Sequence, residues 1–166
     1  MGDARGDDAV NTYLLLKLVH IVSAAVLFGT GMGIAFFMFR AHRSGNIEAL
    51  RVVTRNVILA DWIFTATAVL AQPLSGALLM FHAGYALTSA WFGWVAALYL
   101  LTGACWIPVV VLQYRMARYA ARASSFDALP AAYYRCFRAW ILLGIPAFTL
   151  VIALYVLMVY RAKFPV

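Results

Sequence analysis

Four long and almost uninterrupted apolar stretches constrain this chain more than any other feature of its sequence. They cover residues 13–39, 57–81, 91–112 and 139–160. An α-helix needs about 20 apolar residues to cross a bilayer, and each stretch is long enough. Of the 166 residues, 66% are apolar and 11% charged, whereas a soluble domain has about 45–50% apolar and about 25% charged residues. The sequence therefore predicts an all-α, polytopic membrane four-helix bundle, with residues 1–166 forming one domain.

This composition also excludes several classes of protein. A compact soluble enzyme could not hide so much apolar surface, because many of its residues must lie at the surface. The net charge of +7 does not indicate a nucleic-acid partner, since lysine and arginine on a membrane protein report which side a loop faces. We expect the lipid bilayer to be the main partner, and we expect Cys105 and Cys136 to stay reduced.

The basic residues predict how the chain crosses the membrane. Residues 1–12 contain three aspartates against one arginine, unlike a cleavable signal peptide, so we expect the first span to be an uncleaved anchor. By the positive-inside rule the basic side is cytoplasmic. The N-terminus, the 82–90 loop and the tail through Lys163 then lie on the outer side of the membrane. Nine of the thirteen Lys and Arg residues flank the first and third connections: Arg40, Arg43, Arg51, Arg55, Arg115, Arg118, Arg122, Arg135 and Arg138.

Lys17 and His20 are the most suggestive ionisable residues in the spans, because an ionisable group inside a membrane is costly and usually functional. They lie three residues apart and share a helix face, on which Ala24 and Gly31 leave room for a flat macrocycle. Neutral imidazole is a common haem iron ligand, and Lys17 could pair with a propionate. His20 could equally hydrogen-bond a neighbouring helix, bind another metal or carry protons, while Lys17 could extend to the interface.

Two residues of the second span extend this hypothesis. His82 lies at the outer end, about 10 Å from the depth of His20 by helix rise, so a flat bis-histidine site would be strained. Its ordinary interpretation is an interfacial residue that ends a helix. Gln72, beside Pro73, is closer to the depth of His20 and could orient a ligand or bond a carbonyl that the proline frees.

Asp61 and His42 lie nearer the basic side of the sequence map. We expect Asp61 to form an interhelical ion pair with Arg55, Arg135 or Arg138, and the alternative is a point where protons enter. His42 sits in the basic turn after the first span, and we expect it to be solvated.

Several sequence motifs resemble a bacterial family of predicted integral membrane proteins of unknown function. They are the run from Tyr13 through Lys17 and His20 to Gly31, Ala60-Asp-Trp62, Gln72-Pro-Leu-Ser-Gly76, Gly103-Ala-Cys-Trp-Ile-Pro108 and Gln113. The resemblance covers almost the whole chain. The first helix alone, with lysine and histidine three apart, is also similar to HemJ-type protoporphyrinogen oxidases and CopD-like copper-resistance proteins.

The HemJ-type resemblance implies that His20 ligates haem b, with Lys17 as its polar neighbour. Those enzymes have a functional lysine in a later helix, and the third and fourth spans here contain none. From the resemblance at His20 and Lys17 we expect a haem b redox protein. It would act in electron transfer or as an oxidase, on quinone, oxygen species or porphyrinogen. The alternatives are a cofactor-free membrane subunit or assembly factor, and a copper-handling or transport protein. The Gly29–Gly33 spacing favours close contact between helices, either within the bundle or in a homodimer.

Overall fold

The computed structural model describes residues 4–161, and those residues form helices and short connections without a β-strand. This confirms the predicted all-α class. Four helical rods are long and apolar enough to cross a membrane: Val10–Arg43, Ile47–His82, Ala90–Arg122 and Ala131–Val159. The helices are α1 (Ala4–Arg43), α2 (Ile47–Ala60), α3 (Ala66–His82), α4 (Ala90–Arg122) and α5 (Ala131–Val159), and a π-helical turn, Asp61–Thr65, joins α2 to α3.

The helices extend beyond the apolar stretches at several ends. α1 begins before residue 13 and α5 before residue 139, because helical hydrogen bonding continues past the part of a rod that faces lipid. In the polar first turns, for example, the Thr12 hydroxyl donates to the Asp8 carbonyl at 2.9 Å. Lys163, in the predicted outer tail, lies outside the described residues.

Tight turns connect the rods. Between α1 and α2, Gly45 has a φ of 66°, a left-handed conformation that glycine adopts without steric cost. The Asn46 side chain then caps α2 by accepting from the backbone N–H groups of Glu48 and Ala49. One end of the bundle contains this turn, the α4–α5 connection and the nine arginines named above, and we call it the basic end. We call the other end of the bundle the opposite end.

The hydrophobic core lies toward the basic end. Met38, Leu50, Met116 and Tyr133, from α1, α2, α4 and α5, are completely buried there. Arg51 of α2 also donates to the Ala120 and Ala123 carbonyls, at 3.0 and 2.5 Å. These carbonyls lie at the C-terminus of α4, where the helix dipole favours a positive charge. Toward the opposite end, α3 packs on α1 and α4 on α5, and large apolar side chains such as those of Leu74 and Leu100 stay exposed. The buried core thus lies mainly at the basic end, and large apolar side chains are exposed along the length of the rods.

Candidate functional site

The His20 imidazole is held at the interface of α1 and α3. Its Nδ1 lies 2.9 Å from Oγ of Ser75, and the Ser75 hydroxyl donates its own proton to the Ala71 carbonyl at 2.6 Å. Because that proton is used, Ser75 Oγ accepts from the N–H at Nδ1 of His20. This hydrogen bond selects the tautomer in which Nε2 keeps its lone pair, as in histidines that bind a metal.

A second pair of hydrogen bonds joins the same two helices. Gln72 Nε2 donates to the backbone carbonyl of His20 and to Ser23 Oγ, both at 2.7 Å. The Ser23 hydroxyl in turn lies 3.1 Å from the His20 carbonyl. We call His20, Ser23, Gln72 and Ser75 the His20 network. Ser23 and Ser75 are buried, so the network crosses the helix interface within the bundle.

The backbone of α3 approaches the imidazole closely at Gly76. A Cβ at this position would lie 3.2 Å from Cε1 of His20 and 3.7 Å from Nδ1. The first distance is shorter than ordinary van der Waals contact, so a larger side chain at position 76 would displace the ring. The absence of a side chain here lets α3 approach the histidine.

The carbonyl that Pro73 frees has another partner. Proline has no N–H, so the Val69 carbonyl, four residues earlier, loses its helical donor. The Tyr99 hydroxyl of α4 donates to this carbonyl. Gln72 does bond a carbonyl, as the sequence suggested, but it is the carbonyl of His20. The proline therefore creates a contact between α3 and α4.

The other candidate residues lie around this network without joining its hydrogen bonds. Lys17 is exposed, with Nζ 5.9 Å from the centroid of the Tyr13 ring. Ala24 is half-buried, and a Cβ at Gly31 would lie 3.3 Å from Cζ of Phe148 in α5. His82 is exposed and donates from Nδ1 to the Leu78 carbonyl at 2.9 Å. It is the last residue of its own helix, α3. Within the described residues, the structure thus brings Gln72 to His20 but leaves Lys17 and His82 outside the network.

Sequence reasoning missed Ser23 and Ser75, although a signal existed. Each serine lies three residues after a polar residue that was recognised, Ser23 after His20 and Ser75 after Gln72. Residues three apart share a helix face, so the two pairs define matching polar patches on α1 and α3.

The donor groups of this site fit one axial position of a haem. His20 offers one free nitrogen, and its side chain is only half-buried. An open apolar groove of about 420 Å³ lies between α1 and α3 and includes Ser23, Val22 and Ala68 in its lining, but His20 does not line it. In residues 4–161 no three His, Cys, Asp or Glu side chains converge on one point.

A second polar cluster surrounds Asp61, on the π-helical turn. Thr65, Trp106 and Gln113 face its carboxylate, and Asp61, Thr65 and Gln113 are at least nine-tenths buried. The predicted ion pair is wrong, because Asp61 pairs with no arginine between residues 4 and 161. The physical reason is that its carboxylate faces neutral groups, whereas Arg55, Arg135 and Arg138 are exposed.

His42 also differs from its predicted solvated state. Its ring stacks on the Phe137 ring with centroids 3.8 Å apart, and its Nδ1 lies 3.0 Å from the Tyr133 hydroxyl. The last turn of α1 packs against α5, so a residue that belongs to a basic turn in sequence becomes half-buried among aromatic rings.

Comparison with known proteins identifies a family but not an activity. The family model described as "Predicted integral membrane protein (DUF2269)" matches residues 14–162, which include most of the first rod, the other three rods and both polar clusters. No curated protein and no solved structure matches the chain.

Proposed function

The chain belongs to the DUF2269 family of predicted integral membrane proteins, and we propose that it is a bacterial inner-membrane redox protein that binds haem b through His20. One observation carries the proposal: Nδ1 of His20 is engaged by Ser75 at 2.9 Å, which leaves Nε2 as the free ligand atom. Ligating histidines almost always donate their other ring N–H in this way.

The residues around His20 have separate tasks in this proposal. Ser75 holds the tautomer and the direction of the ring, while Gln72 fixes α1 against α3 through the His20 carbonyl. Lys17, one turn toward the N-terminus, is exposed and suited to pair with a propionate. The bound haem would supply one-electron chemistry, and the protein would tune it through ligand identity, hydrogen bonds and burial.

The proposed orientation places the basic end in the cytoplasm, following the positive-inside rule. His20 then lies in the periplasmic half of the bilayer, and both termini are periplasmic. From there the site could exchange electrons with quinone or another redox protein. We also propose a homodimer through α1, because a Cβ at Gly29 or Gly33 would meet nothing within 4 Å, so this close-packing face meets no other part of the described chain.

The second candidate is a cofactor-free membrane subunit or assembly factor. The observation that favours it is that the His20 network already joins α1 to α3 through direct hydrogen bonds. In that case His20 stabilises helix packing, and its free Nε2 has no ligand.

Absorption spectroscopy of detergent-purified protein from haem-replete cells separates the two. We expect a Soret band, and b-type bands after dithionite reduction, that are lost in His20→Ala. The matched control is His42→Ala, which removes a histidine of α1 outside the network and should keep the bands. His82→Ala tests for a second axial ligand. A folded but colourless wild-type protein would contradict the haem proposal.

A further inference from the structure

The strongest unexplained feature elsewhere in the molecule is the Asp61 cluster, defined as Asp61, Thr65, Trp106 and Gln113. It lies where the π-helical turn meets α4. Only 5% of Asp61, 5% of Thr65 and 2% of Gln113 is exposed. Among residues 4–161, three of its buried oxygens, Asp61 Oδ2, Thr65 Oγ1 and Gln113 Oε1, have no hydrogen-bond partner, and neither does Trp106 Nε1. The side chains face the carboxylate but do not reach hydrogen-bond geometry.

Such a cluster is costly as it stands. A carboxylate removed from water without a counter-charge costs several kcal/mol, and each unpaired buried polar atom adds to the cost. Asp61 has no ion pair within residues 4–161. Native proteins leave few buried polar groups unsatisfied, and each one calls for a physical reason. A positive charge among the three oxygens would balance the carboxylate and give each of those oxygens a partner, while the Trp106 N–H faces the carboxylate.

We propose that the Asp61 cluster binds one monovalent metal cation, for which Na⁺ is the appropriate probe. Its donors are one carboxylate and two neutral oxygens, a hydroxyl and an amide carbonyl. One negative charge balances one positive charge, whereas a divalent ion would leave a net charge buried. The side chains that act on Asp61 are all neutral, and no second carboxylate is among them in the described residues. In membrane transporters, Na⁺ is coordinated by oxygen atoms where a helix is interrupted.

The cation joins two parts of the bundle. Asp61 and Thr65 belong to the π-helical turn, and Gln113 belongs to α4. The ion therefore links the middle of the second rod to the third and holds the irregular turn in place. π-Helical turns of this kind occur frequently at functional sites.

This site is independent of the proposed haem site. Gln72 of the His20 network lies eleven residues beyond Asp61 in the same rod, about 16 Å by helix rise. Loss of one site therefore leaves the donors of the other in place, and the two proposals can fail separately.

The test measures both stabilisation and direct binding on the full-length protein in detergent. Thermal unfolding is followed from low to high NaCl, with choline chloride keeping the ionic strength constant. We expect Tm to rise by about 5 to 10 °C when Na⁺ reaches about 100 times its Kd. The rise should be lost in Asp61→Asn and kept in Asp127→Asn, which changes an exposed loop aspartate.

Equilibrium binding of radioactive ²²Na⁺ to the wild-type protein gives a second readout that needs no variant to fold. We expect saturable binding of one ion per chain, displaced by unlabelled Na⁺ and weakened at least tenfold in Thr65→Val. A Tm that responds to pH but not to Na⁺, or an absence of saturable ²²Na⁺ binding, overturns the proposal. An equal response to NaCl in Asp61→Asn and wild type also overturns it.

Discussion

Ser75→Ala tests most directly whether the His20 network positions a haem ligand. The substitution removes one buried oxygen, the atom 2.9 Å from Nδ1 of His20, and leaves the methylene carbon. Gly76 still limits the movement of the ring, because its backbone remains close to Cε1. The imidazole therefore stays near its position but loses the acceptor that selects its tautomer.

The size of the effect separates the two candidate functions. If the hydrogen bond only joins helices, its loss costs about 0.6 kcal/mol and at most about 1.7 kcal/mol of stability, the range for interhelical bonds in membranes. If Ser75 orients an iron ligand, removal of such an outer partner weakens metal binding by about 10- to 100-fold. That factor corresponds to about 1.4 to 2.8 kcal/mol of haem affinity.

The assay measures the rate and extent of haem transfer from the purified protein to apomyoglobin, together with unfolding of the same samples in denaturant. The control is Gln72→Met, which breaks the bonds from Gln72 to Ser23 and to the His20 carbonyl but leaves the ring partner of His20 in place. We expect haem loss to accelerate in Ser75→Ala far more than in Gln72→Met. Equal haem affinity in Ser75→Ala and wild type would refute the orienting role.

Two further predictions concern the bundle itself. Tyr99→Phe should destabilise the protein by about 0.6 to 1.7 kcal/mol by removing the bond to the Val69 carbonyl, and the loss should shrink in Pro73→Ala, which restores a backbone donor. Denaturant unfolding of the wild type, Tyr99→Phe, Pro73→Ala and the double variant measures this coupling. An equal loss of stability on Tyr99→Phe with and without Pro73→Ala would contradict it. Leu50→Ala should cost about 2 to 5 kcal/mol because Leu50 is fully buried, whereas Leu100→Ala should cost about 0.5 kcal/mol or less at a side chain that is 71% exposed. The same unfolding experiment checks this pair, and similar losses for both would contradict the position of the core.

The helical architecture could be predicted from the sequence because its determinants are local. A bilayer leaves backbone groups no water to bond with, so a long apolar segment must satisfy them within a helix. The connections follow equally local chemistry, as at Gly45 and Asn46. Hydropathy was less informative about the helix ends, because the polar turns of α1 and α5 continue the helix beyond the apolar segments.

The candidate sites depend on contacts between helices, which spacing along one helix does not reveal. His20 and Gln72 were recognisable as polar residues in apolar spans, and Ser75 gained its importance only when α3 packed against α1. Asp61 was predicted to pair with arginine and instead faces neutral groups from α4.

The long apolar helices of this chain follow from its residue composition and from the lengths of its apolar segments, which are local properties. Helix packing sets which polar side chains meet, because partners that are distant in sequence become neighbours only when the helices pack together. It pairs Nδ1 of His20 with Ser75, stacks His42 on Phe137 and buries Asp61 away from the arginines.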